Sequence, residues 1–199
     1  MTEEVKRHLK IAFYACIALF TFCIFILKPN SLRDYSSYAG LAVFLTTIIS
    51  VLYEKWVWRF NPIEKTPKLF KHYNGTIEYS YNGSVEHKNL KIYVRQSLFN
   101  LDIKLVTEEI ISTTITSKIV KENGNYVLYY TYITNPKSKF SDTNPIQYGT
   151  SRFLLDETEV LQGVYWTSRK TKGDIYLDYK IGYKDEKFNH KLLEDKKVD

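Results

Sequence analysis

Two long uncharged stretches near the N-terminus constrain this chain more than any other feature of its sequence. Residues 11–27 read IAFYACIALFTFCIFIL and residues 38–53 read YAGLAVFLTTIISVLY. A soluble helix normally keeps a polar face, which the first stretch lacks. Its 17 residues cover roughly 25 Å as a helix, slightly less than a ~30 Å hydrocarbon core, and flanking lysines can extend that reach. We therefore predict two transmembrane helices, at about 11–27 and 38–58, joined by a loop at about 28–37.

Two alternatives remain for these stretches, namely a buried helical hairpin in a soluble core and a cleaved signal peptide. The basic residues before position 11 suit a signal peptide, but Lys28-Pro29-Asn30 stands where a small-x-small cleavage site belongs. Lysine and arginine flank both predicted helices more heavily than they populate the loop between them. By the positive-inside rule, we expect both termini to be cytoplasmic.

The net charge of +6 also follows this arrangement. Residues 1–68 hold nine Lys and Arg against five Asp and Glu, whereas residues 69–183 hold fourteen against twelve. Most of the positive excess therefore flanks the predicted helices, where anionic headgroups attract it. The remainder is nearly neutral, so the sequence does not indicate a surface for a DNA or RNA polymer.

From residue 69 onward the hydrophobic period changes to two, which is the period of β-strands. Asn82-Gly83 and Asn123-Gly124 are hairpin signals, because both positions of such a turn take a positive φ. The predicted strands are 69–81, 88–98, 101–109, 110–121, 126–134, 146–155, 160–170 and 173–183.

These strands predict a membrane-anchored all-β protein, with two N-terminal transmembrane helices and a small eight-stranded antiparallel β-barrel; a sandwich is the alternative. The predicted domains are the helices at 1–60, a linker at 61–68, a cytoplasmic barrel at 69–183 and a charged tail at 184–199. In the strand 146–155 the inner face stays ambiguous, because Ser151 and Phe153 compete with Arg152 and Leu154.

Strand faces that begin apolar and end polar identify a candidate ligand site at the mouth of the barrel. An eight-stranded barrel can hold one small ligand there, with a few polar groups setting specificity. Arginine can pair with a phosphate, and tyrosine rings can stack on bases. The candidate ligand-binding residues are Tyr79, Gln96, Thr107, Tyr129, Tyr165, Thr167, Arg169 and Thr171. The alternative is that these residues end strands at a solvated rim and have no binding role.

The sequence gives no sign of catalysis or of a metal site. None of its four histidines has the spacing of a metal ligand, and it contains neither a Gly-x-Ser-x-Gly elbow nor a glycine-rich phosphate loop. We therefore expect a protein that is not an enzyme and needs no metal or cofactor. A membrane-tethered barrel that binds a lipid or another small ligand stays open as an alternative function.

Five stretches resemble a known family. They are YEKWVWRFNPIEKTPKL at 53–69, VRQSLFNLDIKLVTEE at 94–109, YVLYYTYITNP at 126–136, IQYGTSRFLL at 146–155 and GVYWTSRKTKGDIYL at 163–177. The chain resembles the two-transmembrane, β-barrel effectors of cyclic-oligonucleotide-based antiphage signalling (CBASS), a CD-NTase-associated family.

This resemblance implies a function in antiviral defence. A cognate nucleotidyltransferase of the CD-NTase type makes a cyclic dinucleotide on infection, and the barrel binds it. Binding promotes self-association into oligomers, and the transmembrane helices disrupt the bacterial inner membrane, so that the cell dies by abortive infection. The implied partners are the cyclic dinucleotide, inner-membrane lipids and further copies of this chain.

Overall fold

The computed structural model describes residues 3–81 and 84–180 and divides the chain into two compact units. The first unit extends to Lys65 and includes Ser97–Phe99. It contains helix α1 (Glu3–Leu27), helix α2 (Leu32–Lys55) and a 3₁₀ turn (Val57–Phe60). The two helices pack against each other, and Cys23 of α1 and Ala42 of α2 are buried.

Both helices are long and apolar enough to cross a membrane. Most of their large apolar side chains are exposed, including Phe25 and Phe44. A core helix of a soluble protein would bury such side chains, whereas a helix in lipid would not. The exposure therefore favours the membrane interpretation over a buried hairpin.

The predicted loop at 28–37 is wrong, because the connection between the helices spans only residues 28–31. Helix α2 begins at Leu32 because Ser31 caps it. The Ser31 hydroxyl accepts a hydrogen bond from the amide of Asp34 at 3.3 Å, and the Asp34 carboxylate accepts from the amides of Asn30 and Ser31 at 3.0 Å each. This capping box satisfies the first amides of the helix, so a polar first turn becomes helical.

The second unit is a closed eight-stranded antiparallel barrel, which confirms the predicted fold class and excludes a sandwich. Each strand pairs with its neighbours in sequence, and β1 pairs with β8 to close the barrel. The strands are β1 (His72–Tyr81), β2 (Ser84–Gln96), β3 (Leu101–Thr107), β4 (Ile110–Glu122), β5 (Asn125–Pro136), β6 (Gln147–Leu154), β7 (Val160–Thr167) and β8 (Lys172–Asp178). The predicted tail at 184–199 lies outside the described residues.

The interior is packed by residues that alternate along each strand. On β6 the buried set is Ser151 and Phe153, followed by Leu155, while Arg152 and Leu154 point outward, which resolves the ambiguity in the sequence. Small and large residues share the inside of a narrow barrel. For example, a Cβ at Gly163 would lie only 2.5 Å from Cδ1 of Phe153.

One end of the barrel is closed by the segment that precedes β1. The amide of Leu69 donates to Oε1 of Gln96 at 2.9 Å, and Nε2 of Gln96 donates to the carbonyl of Pro67 at 2.8 Å. Tyr73 is fully buried, and its hydroxyl donates to the carbonyl of Thr158 at 2.6 Å. We call this the closed end. The opposite end, where β1, β3, β5 and β7 finish, is the open end.

Candidate functional site: a cavity at the open end of the barrel

The open end holds a cavity of 540 Å³, a volume typical of small-molecule sites. Its walls come from the last residues of the odd-numbered strands and the first residues of the even-numbered ones. Apolar side chains such as Leu105 and Ile175 lie among polar and charged ones. Such a mixed lining suits a ligand that has both flat apolar parts and charged groups.

The structure brings six of the eight candidate residues together at this cavity: Tyr79, Thr107, Tyr165, Thr167, Arg169 and Thr171. Gln96 points inward but lies at the closed end, where it holds the segment before β1. Tyr129 points outward, and its hydroxyl contacts Glu122 and Arg152 at 2.9 and 3.0 Å. Neither residue belongs to the site proposed below.

Sequence reasoning missed eleven of the seventeen polar residues that line the cavity. The missed residues are Ser80, Glu86, Lys88, Glu109, Ser112, Tyr132, Thr134, Thr143, Asn144, Gln147 and Lys170. Strand β2 begins at Ser84, four residues before the predicted start, so Glu86 fell in a turn. Extending the apolar alternation of β2 backwards from Leu90 in steps of two would have found Lys88 and Glu86.

Lys88 is a cation that the cavity already partly neutralises. Its Nζ lies 2.7 Å from Oε1 of Glu109 and 5.1 Å from the centre of the Tyr79 ring. Burial disfavours the charged ammonium, but hydrogen bonds from it to Glu109 and Tyr79 outweigh this, so the pKa of Lys88 is raised. Lys88 is therefore charged at physiological pH and available to an anion that competes with Glu109.

Arg169 lies in the turn between β7 and β8 and is exposed. Its Nη1 donates to the main-chain carbonyl of Thr143 at 3.2 Å, in the connection between β5 and β6. The next residue of that connection, Asn144, donates to Oε2 of Glu109 at 2.6 Å. Because its partner is a neutral carbonyl, Arg169 can turn to a phosphate, for which guanidinium geometry is well suited.

Tyrosine rings form much of the cavity floor. Tyr132 and Tyr165 line it, and Tyr130 lies directly below, with ring centroids of Tyr130 and Tyr132 5.1 Å apart. Burial raises the pKa of Tyr132 to about 12, and it also raises the pKa values of Tyr130 and Tyr165. These phenols stay neutral at physiological pH, so the floor offers flat rings and hydroxyl donors without negative charge.

A fourth tyrosine, Tyr79, lies at the rim of the cavity, and its pKa is also raised. Its hydroxyl donates to Oε2 of Glu86 at 2.5 Å, and burial, followed by this hydrogen bond, raises its pKa. Across the cavity, the hydroxyls of Thr167 and Thr171 are 2.5 Å apart. Within residues 3–81 and 84–180, no cluster of three or more His, Cys, Asp or Glu could hold a metal ion.

Comparison with known proteins places this barrel in a family. A family model described as "Cap15, cyclic dinucleotide receptor domain" matches residues 64–178, a range that contains all eight strands. CD-NTase-associated protein 15 of Staphylococcus schleiferi is 32% identical to this chain over 180 residues, which cover 89% of this chain and 98% of that protein. An alignment of that length extends from the barrel into the N-terminal helices. The chain therefore belongs to the Cap15 family of CBASS cyclic dinucleotide receptors, which combine two apolar N-terminal helices with an eight-stranded barrel.

Proposed function

We propose that this protein is a CBASS effector whose barrel binds a cyclic dinucleotide, made by a cognate CD-NTase, in the cavity at the open end. Binding promotes self-association, and the assembled helices disrupt the bacterial inner membrane and kill the infected cell. The protein makes or breaks no covalent bond in this function. The observation that carries the proposal is one cavity, inside the receptor domain, that combines cations with tyrosine rings.

The ligand's chemistry corresponds to that of the cavity. A cyclic dinucleotide carries two phosphates and two bases. Lys88, Arg169 and Lys170 outnumber Glu86 and Glu109 among the lining residues, so the cavity has a small positive excess. A hydrogen bond to a charged group contributes about 1.5–3 kcal/mol, and a base stacked on an aromatic ring about 1–3 kcal/mol. Two phosphates and two bases can thus supply a substantial binding free energy.

The membrane part of the proposal starts from the two apolar helices. They span the inner membrane with both termini in the cytoplasm, which places the barrel where the messenger is made. Two helices of one chain cannot enclose a pore, so damage to the membrane requires several copies. Moving a balance between dispersed and assembled states from 1:99 to 99:1 takes about 10⁴-fold tighter ligand binding to the assembled state, or ~5.5 kcal/mol.

Binding is tested on the full chain purified in detergent, titrated with a panel of cyclic dinucleotides that differ in their bases and in their phosphodiester linkages. We expect saturable binding of at least one of them and a loss of about tenfold in affinity in Arg169→Ala, because an exposed charge-assisted contact is removed. Arg95→Ala is the matched control, since Arg95 is exposed on the outer face of β2 and does not line the cavity. Equal affinities in the two variants would exclude Arg169 from the site.

Membrane disruption is tested separately, on protein reconstituted into liposomes that enclose a fluorescent dye. We expect dye release after addition of the bound cyclic dinucleotide, and much less release from the Arg169→Ala variant at the same concentration. Binding without release would contradict the membrane half of the proposal. A lipid that copurifies with the barrel, in a protein that binds no cyclic dinucleotide, would instead support the lipid-binding alternative.

A further inference from the structure

Three neighbouring polar side chains form one wall of the cavity. Ser112 on β4 is the register partner of Thr134 on β5, and Thr134 is the register partner of Gln147 on β6. All three line the cavity. Residues paired in this way have Cβ atoms about 4.5–5.5 Å apart, so the wall presents a hydroxyl, a second hydroxyl and an amide side by side.

The hydroxyl of the middle residue, Thr134, already makes two hydrogen bonds. The Thr134 hydroxyl donates to the carbonyl of Gln147 at 3.2 Å and accepts from the amide of Gln147 at 3.1 Å. Thr134 itself is almost completely buried. These two bonds fix the main chain of Gln147 and leave the orientation of its side-chain amide to other contacts.

The two outer residues, Ser112 and Gln147, differ from Thr134 in the hydrogen bonding of their side chains. Oγ of Ser112 and Oε1 of Gln147 are both buried, and neither has a hydrogen-bond partner within the part of the chain that the structure describes. Buried polar atoms without partners destabilise a folded protein and are correspondingly rare. Four other described side chains have such an atom, including Tyr130 and Ser151, but of the six only Ser112 and Gln147 line the cavity, where a ligand can supply the missing partners.

We propose that Gln147, assisted by Ser112, recognises one nucleobase of the bound cyclic dinucleotide. This inference rests on the proposed function. The Gln147 amide accepts an N–H donor of the base on Oε1 and donates from Nε2 to a neighbouring acceptor, and Ser112 adds a hydroxyl beside it. The last side-chain torsion of glutamine is broad, so the amide turns towards the ligand with little strain. Adenine offers such a donor and acceptor at N6 and N7, where glutamine binds it bidentately.

The test combines two measurements on the full chain in detergent, namely the melting temperature without ligand and the affinity for c-di-AMP, for c-di-GMP and for any other member of the panel that binds. Gln147→Met keeps the length of the side chain and removes the amide. We expect a melting temperature at or above that of the unmodified protein, because a buried unpaired acceptor is gone, together with a loss of about tenfold or more in affinity for c-di-AMP. Ser112→Ala should act in the same direction.

Ser151→Ala is the matched control. Its hydroxyl is as deeply buried as that of Ser112, but Ser151 does not line the cavity, so the affinity should stay unchanged. The inference is overturned if Gln147→Met binds its dinucleotides with unaltered affinity. It is also overturned if the melting temperature falls far enough to account for the loss of binding. If every dinucleotide that the unmodified protein binds lacks adenine, the assignment of adenine is overturned. An unmodified protein that binds neither the two dinucleotides nor any other of the panel would refute the proposed function itself.

Discussion

The cavity depends on a glycine, and replacing it gives the sharpest test of the barrel's packing. Gly149 on β6 faces the ring of Tyr132 on β5, and a Cβ there would lie 2.4 Å from Cζ and 2.5 Å from the hydroxyl oxygen. Carbon atoms in favourable contact are about 3.5–4.0 Å apart. Gly149 does not have a positive φ, so Gly149→Ala introduces this collision and no backbone strain.

The size of the effect follows from what surrounds the ring. Tyr132 is buried and packs against Tyr130, so its ring can move only by displacing other parts of the core. Overpacking of this kind costs about 1–3 kcal/mol, which lowers the melting temperature of a domain this size by roughly 4–15 °C. In a Tyr132→Ala background the added methyl group fits. There Gly149→Ala should be neutral or stabilising by up to ~1 kcal/mol, since glycine is unfavourable in strands.

The assay is a double-mutant cycle of Gly149→Ala and Tyr132→Ala, with the free energy of unfolding measured on the full chain in detergent by near-ultraviolet circular dichroism. We expect a coupling free energy of about 1–3 kcal/mol. Gly149→Ala alone should also weaken binding of the cyclic dinucleotide, because Tyr132 lines the cavity. Equal destabilisation by Gly149→Ala in the two backgrounds would refute the packing argument.

Two further predictions concern Tyr73 and Tyr129, and a third concerns the ionisation of Tyr132. Tyr73→Phe removes the buried hydroxyl that donates to Thr158, so the free energy of unfolding should fall by about 1–3 kcal/mol in denaturant titrations, while ligand affinity, set at the other end, stays constant. Tyr129→Phe breaks only outward contacts and should change stability by less than ~1 kcal/mol and affinity not at all; weaker binding would contradict its placement. The raised pKa of Tyr132 means that, as pH rises from 10 towards 12, the unfolded chain loses this proton before the folded barrel does. The contribution of this tyrosine to the free energy of unfolding should therefore be complete below pH 10 and should fall by about 1.4 kcal/mol per pH unit above it, as measured by unfolding at each pH. If an absorbance titration, compared with that of Tyr132→Phe, shows Tyr132 ionising near pH 10, the reasoning is wrong.

The fold could be predicted because its two parts carry different and strong sequence signals. Uncharged stretches longer than a soluble helix tolerates indicated the membrane helices, and a period of two indicated the strands. The hairpin signal at Asn123-Gly124 is a case in point, since both residues adopt positive φ values, 49° and 94°. The start of α2 was harder, because Arg33 and Asp34 suggest a loop until the capping contacts of Ser31 are known.

The site was only partly predictable, because alternation distinguishes inside from outside and says nothing about height within the barrel. Gln96 lies on the inner face as expected, but β2 runs towards the closed end, and only the register shows this. On β5 both faces are aromatic, so alternation could not separate Tyr129, which points outward, from Tyr130, which is buried. Ser112 and Gln147 gave no signal, because their significance lies in hydrogen bonds that they do not make.

Closure of the barrel limits the ways in which copies of this protein can associate. An open sheet presents a row of unpaired amides and carbonyls at its outermost strands, and another chain can extend such a sheet by strand addition. Here β1 pairs with both β2 and β8, and every other described strand likewise has two hydrogen-bonded neighbours. Where a strand is paired on both sides, main-chain pairing between barrels would first require breaking one of these ladders; the exceptions are residues 84–89 of β2, which pair with β1 and not with β3, and residues 116–122 of β4, which pair with β5 and not with β3. If the proposed self-association occurs, closure therefore favours contacts between copies through side chains on the barrel surface or through the apolar helices, and substitutions there are the means to separate assembly from ligand binding.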